Sequence, residues 1–291
     1  MSSTNEQDIA RNFADMLNRH GYAFQYSSIR VAEKLFKEVN PKWIFQASEF
    51  PVELSKRSKG TRIDFILKSK EYPVYLLFEC KRANPALKNW CFARAPYVRR
   101  NRTEEYFFVE TIASNDGGIN SKGMILREID KDESYHIALE VKATESGDRA
   151  DKGHGAIEET ATQICYGLNG LVELFHAQPL LNSGQRVVLI PVILTTASIW
   201  GSAVDLGNAD IKSGELEQSQ VEVKQKNWIY YQYHQSPGLK HTFHSPAAKQ
   251  NEISSILDRE YIRTIPIVTA SAISDFLTKF YCDTDSLRDV Y

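Results

Sequence analysis

The residues of this chain whose types and spacing could do chemistry lie together in residues 61–82, TRIDFILKSKEYPVYLLFECKR. Two apolar runs, residues 63–67 and 74–78, flank a polar turn at residues 68–73, the pattern of a β-hairpin with buried strands. Each strand carries a carboxylate where an apolar side chain is expected, Asp64 in the first and Glu79 at the end of the second. Lys81 follows Glu79 by two residues, so both side chains leave the same face of the strand. Charges gathered on a dry sheet surface cost several kcal/mol unless they are paired. A divalent cation removes that cost at the two acids, and the lysine is left to face a phosphate or an attacking water. Such a set suits phosphodiester cleavage. Paired charges on an exposed edge are the bland alternative, with Arg62 serving Asp64, and Glu79 and Lys81 neutralising each other.

Asp64, a gap of fourteen residues and then Glu79-Cys80-Lys81 resembles the signature of the PD-(D/E)XK phosphodiesterase superfamily. Ile63 stands where that signature often has proline, and Gly60 leads the GTRIDF segment as a glycine does in many members. The resemblance implies an α/β, restriction-endonuclease-like αβββαβ core with a mixed central sheet flanked by helices. It implies Asp64, Glu79 and Lys81 as catalytic residues. Asp64, Glu79 and the Cys80 carbonyl would then be ligands of Mg²⁺, for which Mn²⁺ can substitute; oxygen ligands and retained waters suit that ion.

A second E-x-K, Glu140 and Lys142, occupies the run YHIALEVK at residues 135–142. It directly precedes a helical pattern, as the superfamily's E-x-K strand does, so at the level of sequence it competes with Glu79 and Lys81 or shares their cleft. The 61-residue gap from Glu79 favours the Asp64 version. Gln163 and Tyr166 resemble the glutamine–tyrosine signature of the superfamily's exonuclease branch, with a spacing one residue narrower. Glu33, Glu38, Glu49 and Glu53 are the acids available as a further ligand.

The elements that must position these residues follow from periodicity. Residues 7–20 put Ile9, Phe13, Met16 and Leu17 on one helical face, stopped by Gly21. A second helix is expected over 28–39, with Ala32, Leu35, Phe36 and Val39 as its stripe, and a short strand over 43–47. After the hairpin, residues 81–102 carry seven basic residues and no acidic one, with Trp90, Phe92 and Tyr97 interleaved. Lys88, Arg94, Arg99, Arg100 and Arg102 are therefore candidate nucleic-acid contacts, with the rings as stacking surfaces; a solvated loop with tucked-in rings is the alternative. Residues 113–123 read as a loop, 135–142 as a strand, 156–176 as a long amphipathic helix and 185–195 as a buried strand. The core would span about 28–196, with an insertion at about 82–134 and a C-terminal extension from 198 to 291. That extension is expected to hold a strand at 228–233 and helices at 252–261 and 271–281.

The 291 residues have a net charge of −2, so nucleic acid would have to be held by a local patch. Cys80, Cys91, Cys165 and Cys282 show no C-x-x-C, which argues against a disulfide framework and a structural zinc site and suits the cytoplasm. The longest apolar run is too short to cross a bilayer, so no membrane is expected. P-loop, G-x-S-x-G and zinc-protease signatures are missing from the sequence. The function expected is Mg²⁺-dependent hydrolysis of DNA in restriction, repair or defence, by a chain that could act as a homodimer. The alternative is a nuclease-derived module that binds nucleic acid or protein without cutting.

Overall fold

The computed structural model describes residues 2–36, 42–53, 60–95, 104–115, 118–142, 155–178, 181–234 and 262–283. It is an α/β protein in which a mixed nine-stranded sheet is flanked by helices and accompanied by a second sheet of four strands. Helices α1 (Ser2–Arg19) and α2 (Tyr22–Phe36) lead into an antiparallel meander of β1 (Trp43–Val52), β2 (Thr61–Ser69) and β3 (Val74–Lys81). Further on, helix α3 (Ala156–Ala177) crosses to β9 (Arg186–Thr195), which lies parallel to β3. Every residue of β9 after Arg186 is buried, as a strand covered on both faces requires.

The two faces of the sheet bury separate clusters. Beneath α3, Ile157, Ala161, Ile164 and Leu168 pack with Ile63, Leu77, Leu189 and Ile193. On the opposite face, Ile29 of α2 and Ile273, Phe276, Leu277 and Phe280 of α4 (Ile273–Asp283) cover Phe65, Leu76, Phe78 and Val192. Gly167 and Gly170 let α3 lie close. A Cβ on either would come within 2.9 Å of Ile63 Cγ1 or 2.8 Å of Val52 Cβ.

Several expectations are corrected. The segment expected as a loop at 113–123 is strand at its described residues, 113–115 and 118–123, in a long hairpin of β5 (Glu105–Asn115) and β6 (Gly118–Ile129). The described part of residues 82–134 contributes strands to both sheets. Strand β5 pairs with β9, while β4 (Asn89–Ala93) lies in the second sheet between β8 (Ile137–Val141) and β10 (Ser198–Ser202). The single strand expected at 135–142 is two: β7 (Ser134–Tyr135) joins the large sheet and β8 the small one. Described strands of the C-terminal region are woven in too, β11 (Val223–Lys226) at an edge of the small sheet and β12 (Trp228–His234) and β13 (Ile262–Thr269) inside the large one, between β7 and β9. Strand β13 lies parallel to β9 and shares one of its edges with β5. Pro191, which has no N–H to give, falls between those two partners.

Helix α2 starts six residues before the expected position, immediately after Gly21, whose φ of 77° makes the corner with α1. The apolar face of α1 points outward, with Ile9, Phe13 and Met16 exposed. Residues 252–261, expected as a helix, lie outside the described residues. No described helix is long and apolar enough to cross a membrane.

Candidate functional site

Strands β2 and β3 are paired from Lys68↔Tyr75 to Phe65↔Phe78 and part beyond that point, while the β3–β9 ladder continues to Lys81↔Thr195. Where the backbones part, the Asp64 carboxylate takes the place of a ladder carbonyl: Oδ2 accepts the Cys80 N–H at 2.7 Å. Alternation along β3 sends Glu79 and Lys81 to the α3 side and Cys80 to the other. Cys80 packs against the α2 cluster, and its thiol meets the Ser28 hydroxyl. Asp64, Glu79 and Lys81 thus line one cleft of about 470 Å³, bordered by the α1–α2 corner, β1, the start of β2 and α3.

Electrostatically this cleft is a strained place. Glu79 is only 5% exposed, and its Oε2 is shut off from solvent with no hydrogen-bond donor reaching it. Burial, and then the neighbouring Asp64 charge, pushes the Glu79 carboxyl well above the usual carboxylate range, with Lys81 opposing. Burial also raises Asp64, to about 6; the Cys80 N–H opposes this, Glu49 adds to it and Lys81 opposes again. Lys81 Nζ lies 3.7 Å from Glu159 Oε2 on α3, a contact between partly exposed groups that holds the ammonium weakly. Arg62 pairs with Glu49 at 3.3 Å rather than with Asp64, and the ion pair Lys81 makes is with Glu159.

A buried acid with an orphaned oxygen beside a half-buried one makes a donor set that a cation fits. Among the described residues no three His, Cys, Asp or Glu side chains converge as a metal cluster, so a cation here would rest on Asp64 and Glu79, completed by backbone oxygen and water. Glu49 is committed elsewhere: Oε1 accepts from Gln25 and Oε2 from Arg62. It holds a positive φ of 50°, a conformation that costs a non-glycine residue about 1–2 kcal/mol. Glu33 and Glu53 are exposed and do not line the cleft, and Glu38 lies outside the described residues.

The second E-x-K is in another place. Glu140 sits on β8 in the small sheet, and its Oε2 accepts the Ala156 N–H at 3.0 Å, closing the N-terminus of α3. Neither Glu140 nor Lys142 lines the cleft. Gln163 does, whereas Tyr166 packs on the α3 side of the core.

Lys88 is exposed, and Arg94 is bound to Asp132 and lies over the Tyr135 ring, away from the Asp64 cleft. Arg99, Arg100 and Arg102 lie outside the described residues, as does Tyr97. Trp90 and Phe92 are fully buried in the core, so they offer no surface for stacking.

Sequence reasoning missed Gln25. This buried side chain donates to the Asp64 carbonyl at 3.1 Å and to Glu49, tying α2 to the floor of the cleft. Its signal is the buried series Gln25, Ser28, Ile29 and Ala32, at helical spacing, with a polar residue in the first place. A scan against protein-family models finds no match, and neither do searches of curated proteins and of solved structures.

Proposed function

We propose that this chain is a divalent-metal-dependent nuclease of the PD-(D/E)XK type that hydrolyses phosphodiester bonds of DNA. The observation that carries this is the pair of acids on parting strands, Asp64 half-buried and Glu79 buried with an oxygen that no protein donor satisfies, beside Lys81. Proteins rarely keep such a pair without a counter-charge. The order α2, β1, β2, β3, α3, β9, with β3 and β9 parallel, further supports the reading, since it follows the αβββαβ sequence of that superfamily's core.

Asp64 and Glu79 would hold Mg²⁺, which when bound lowers the pKa of water and offsets negative charge on phosphorus. The chain's own groups do the rest. The Cys80 N–H fixes the Asp64 carboxylate, and the apolar residues on both sheet faces keep the floor of the cleft dry. Lys81, released from Glu159 by an arriving phosphate, orients the attacking water or stabilises the charge that develops on the phosphate. Cys80, Cys91 and Cys165 are free thiols, in keeping with a cytoplasmic setting.

The test is incubation with plasmid and with labelled oligonucleotides, in Mg²⁺ or Mn²⁺ and then in chelator. Cleavage is expected with metal and lost in Glu79→Gln and Lys81→Ala. Cutting that persists in chelator or in Glu79→Gln overturns the site. Tight binding with no cutting under any metal turns the reading to a non-catalytic module.

A further inference from the structure

The cations that gather at the cleft come from two places, Arg19 from the end of α1 and Arg82 from the start of the basic stretch, while Lys88 and Arg94 farther along that stretch do not line it. The acids form its floor, while Arg19, His20 and Tyr22 of the α1–α2 corner and Arg82 after β3 form its rim, all exposed. Gly21 turns the chain so that His20 and Tyr22 flank the corner, their ring centroids 6.2 Å apart. Arg82 Nη1 donates to the Asn18 carbonyl at 3.0 Å, which ties this corner to the end of β3 just beyond Lys81. Tyr22 is 44% exposed, so its ring is open to a ligand at the rim.

We propose that this rim is a subsite for unpaired nucleic acid, in which Tyr22 with His20 stacks a base and Arg19 with Arg82 holds an adjoining phosphate. The proposal rests on the reading of the cleft as a nucleic-acid site. A duplex turns its bases inward and shows the rim only phosphates, leaving the rings without a partner. An unpaired strand presents a base face and a phosphate together, the two features that single-strand binding sites use. A cleft of about 470 Å³ is also on the scale of a small ligand, as one or two nucleotides are, rather than of a double helix. The favoured substrate is therefore DNA with a frayed end, flap or single-stranded region.

The experiment is fluorescence anisotropy in chelator, so that nothing is cut, using a fluorescein-labelled oligothymidylate and a blunt duplex of matched length. The single strand is expected to bind more tightly. Tyr22→Ala should weaken it about tenfold, while Tyr22→Phe, which keeps the ring, binds as the wild type does. Arg19→Ala should reduce the slope of log Kd against log salt by about 0.7, one phosphate contact on a single strand. Thermal melts verify that each variant is folded. Equal affinity for the blunt duplex, or wild-type binding by Tyr22→Ala, overturns the subsite. If Glu79-dependent cleavage is then still found, the nuclease reading stands without it. The full binding pattern with no cleavage under any metal keeps the subsite and removes the hydrolysis.

Discussion

Neutralising Asp64 should stabilise the metal-free protein, and should do so only at neutral pH. In the folded chain burial raises its carboxyl from the ordinary 3.8 to about 6. A raised carboxylate pKa means that the folded state binds the proton more tightly than the unfolded state does. Its contribution to stability is thus fully present below about pH 4, declines as pH rises to about 6 and is gone above that. Each pH unit between the two values is about 1.4 kcal/mol, so ionised Asp64 costs the fold about 3 kcal/mol near neutrality. Asp64→Asn keeps a carbonyl oxygen to accept the Cys80 N–H and removes the charge. At about 2 °C per kcal/mol for a chain of this size, the variant should melt about 6 °C above wild type near pH 7.5 and level with it near pH 4. The assay is thermal unfolding of both proteins in chelator across that range. Saturating Mg²⁺ should close the neutral-pH gap, because a cation supplies the missing counter-charge. A variant-to-wild-type difference that is the same at both pH values, or a wild type that is the more stable at pH 7.5, refutes the reasoning.

Titrating Mg²⁺ into the metal-free wild type should raise its melting temperature, by the equivalent of about 2.7 kcal/mol when the free ion reaches a hundredfold over Kd. Glu79→Gln should flatten that titration. Glu140→Ala should leave any cleavage activity intact while costing about 1 kcal/mol in a urea unfolding curve, since the residue caps α3 and lies outside the cleft. Glu110→Ala strips Arg263 of a carboxylate 2.8 Å away, in a pair whose side chains are 6% and 7% exposed. The loss should be about 3–5 kcal/mol by the same urea measurement.

The parts of the fold legible in the sequence are those where one local signal agrees with its tertiary use. The runs 63–67 and 74–78 are both apolar enough to be covered on two faces, and the stripe of α3 is long, so each declares its own element. Strand β5 carries an equally buried centre, but its partner β9 is some eighty residues away and its hairpin mate β6 mixes polar and apolar residues with few of them buried. Nothing local in GINSKGMILREI separates an edge strand from a loop. The division of residues 134–141 between two sheets is likewise decided at a distance. His136 donates its backbone N–H to the Ala93 carbonyl, and its Nδ1 accepts from the Ala95 N–H. In the site, charge against apolar background made Asp64 and Glu79 visible. Gln25 and Glu159 were hidden because each looks like an ordinary helix-surface residue until the helix is docked.

The parting of β2 and β3 explains why the two acids are so different from surface carboxylates. Pairing with β9 holds the end of β3 in the sheet through Lys81↔Thr195, so Glu79 has no freedom to swing into water. On the other edge the ladder stops at Phe65↔Phe78, where two stacked rings with centroids 4.3 Å apart leave no slack. The Cys80 N–H then needs an acceptor, and Asp64 is the side chain that supplies one. Asp64 is therefore both a structural bond and a half-buried charge, and the two roles pull stability in opposite directions. Removing the whole side chain leaves an amide unsatisfied, at a cost of about 1–3 kcal/mol, which would mask a similar gain from removing the charge. For that reason the asparagine variant, rather than alanine, isolates the electrostatic strain that a cation would relieve.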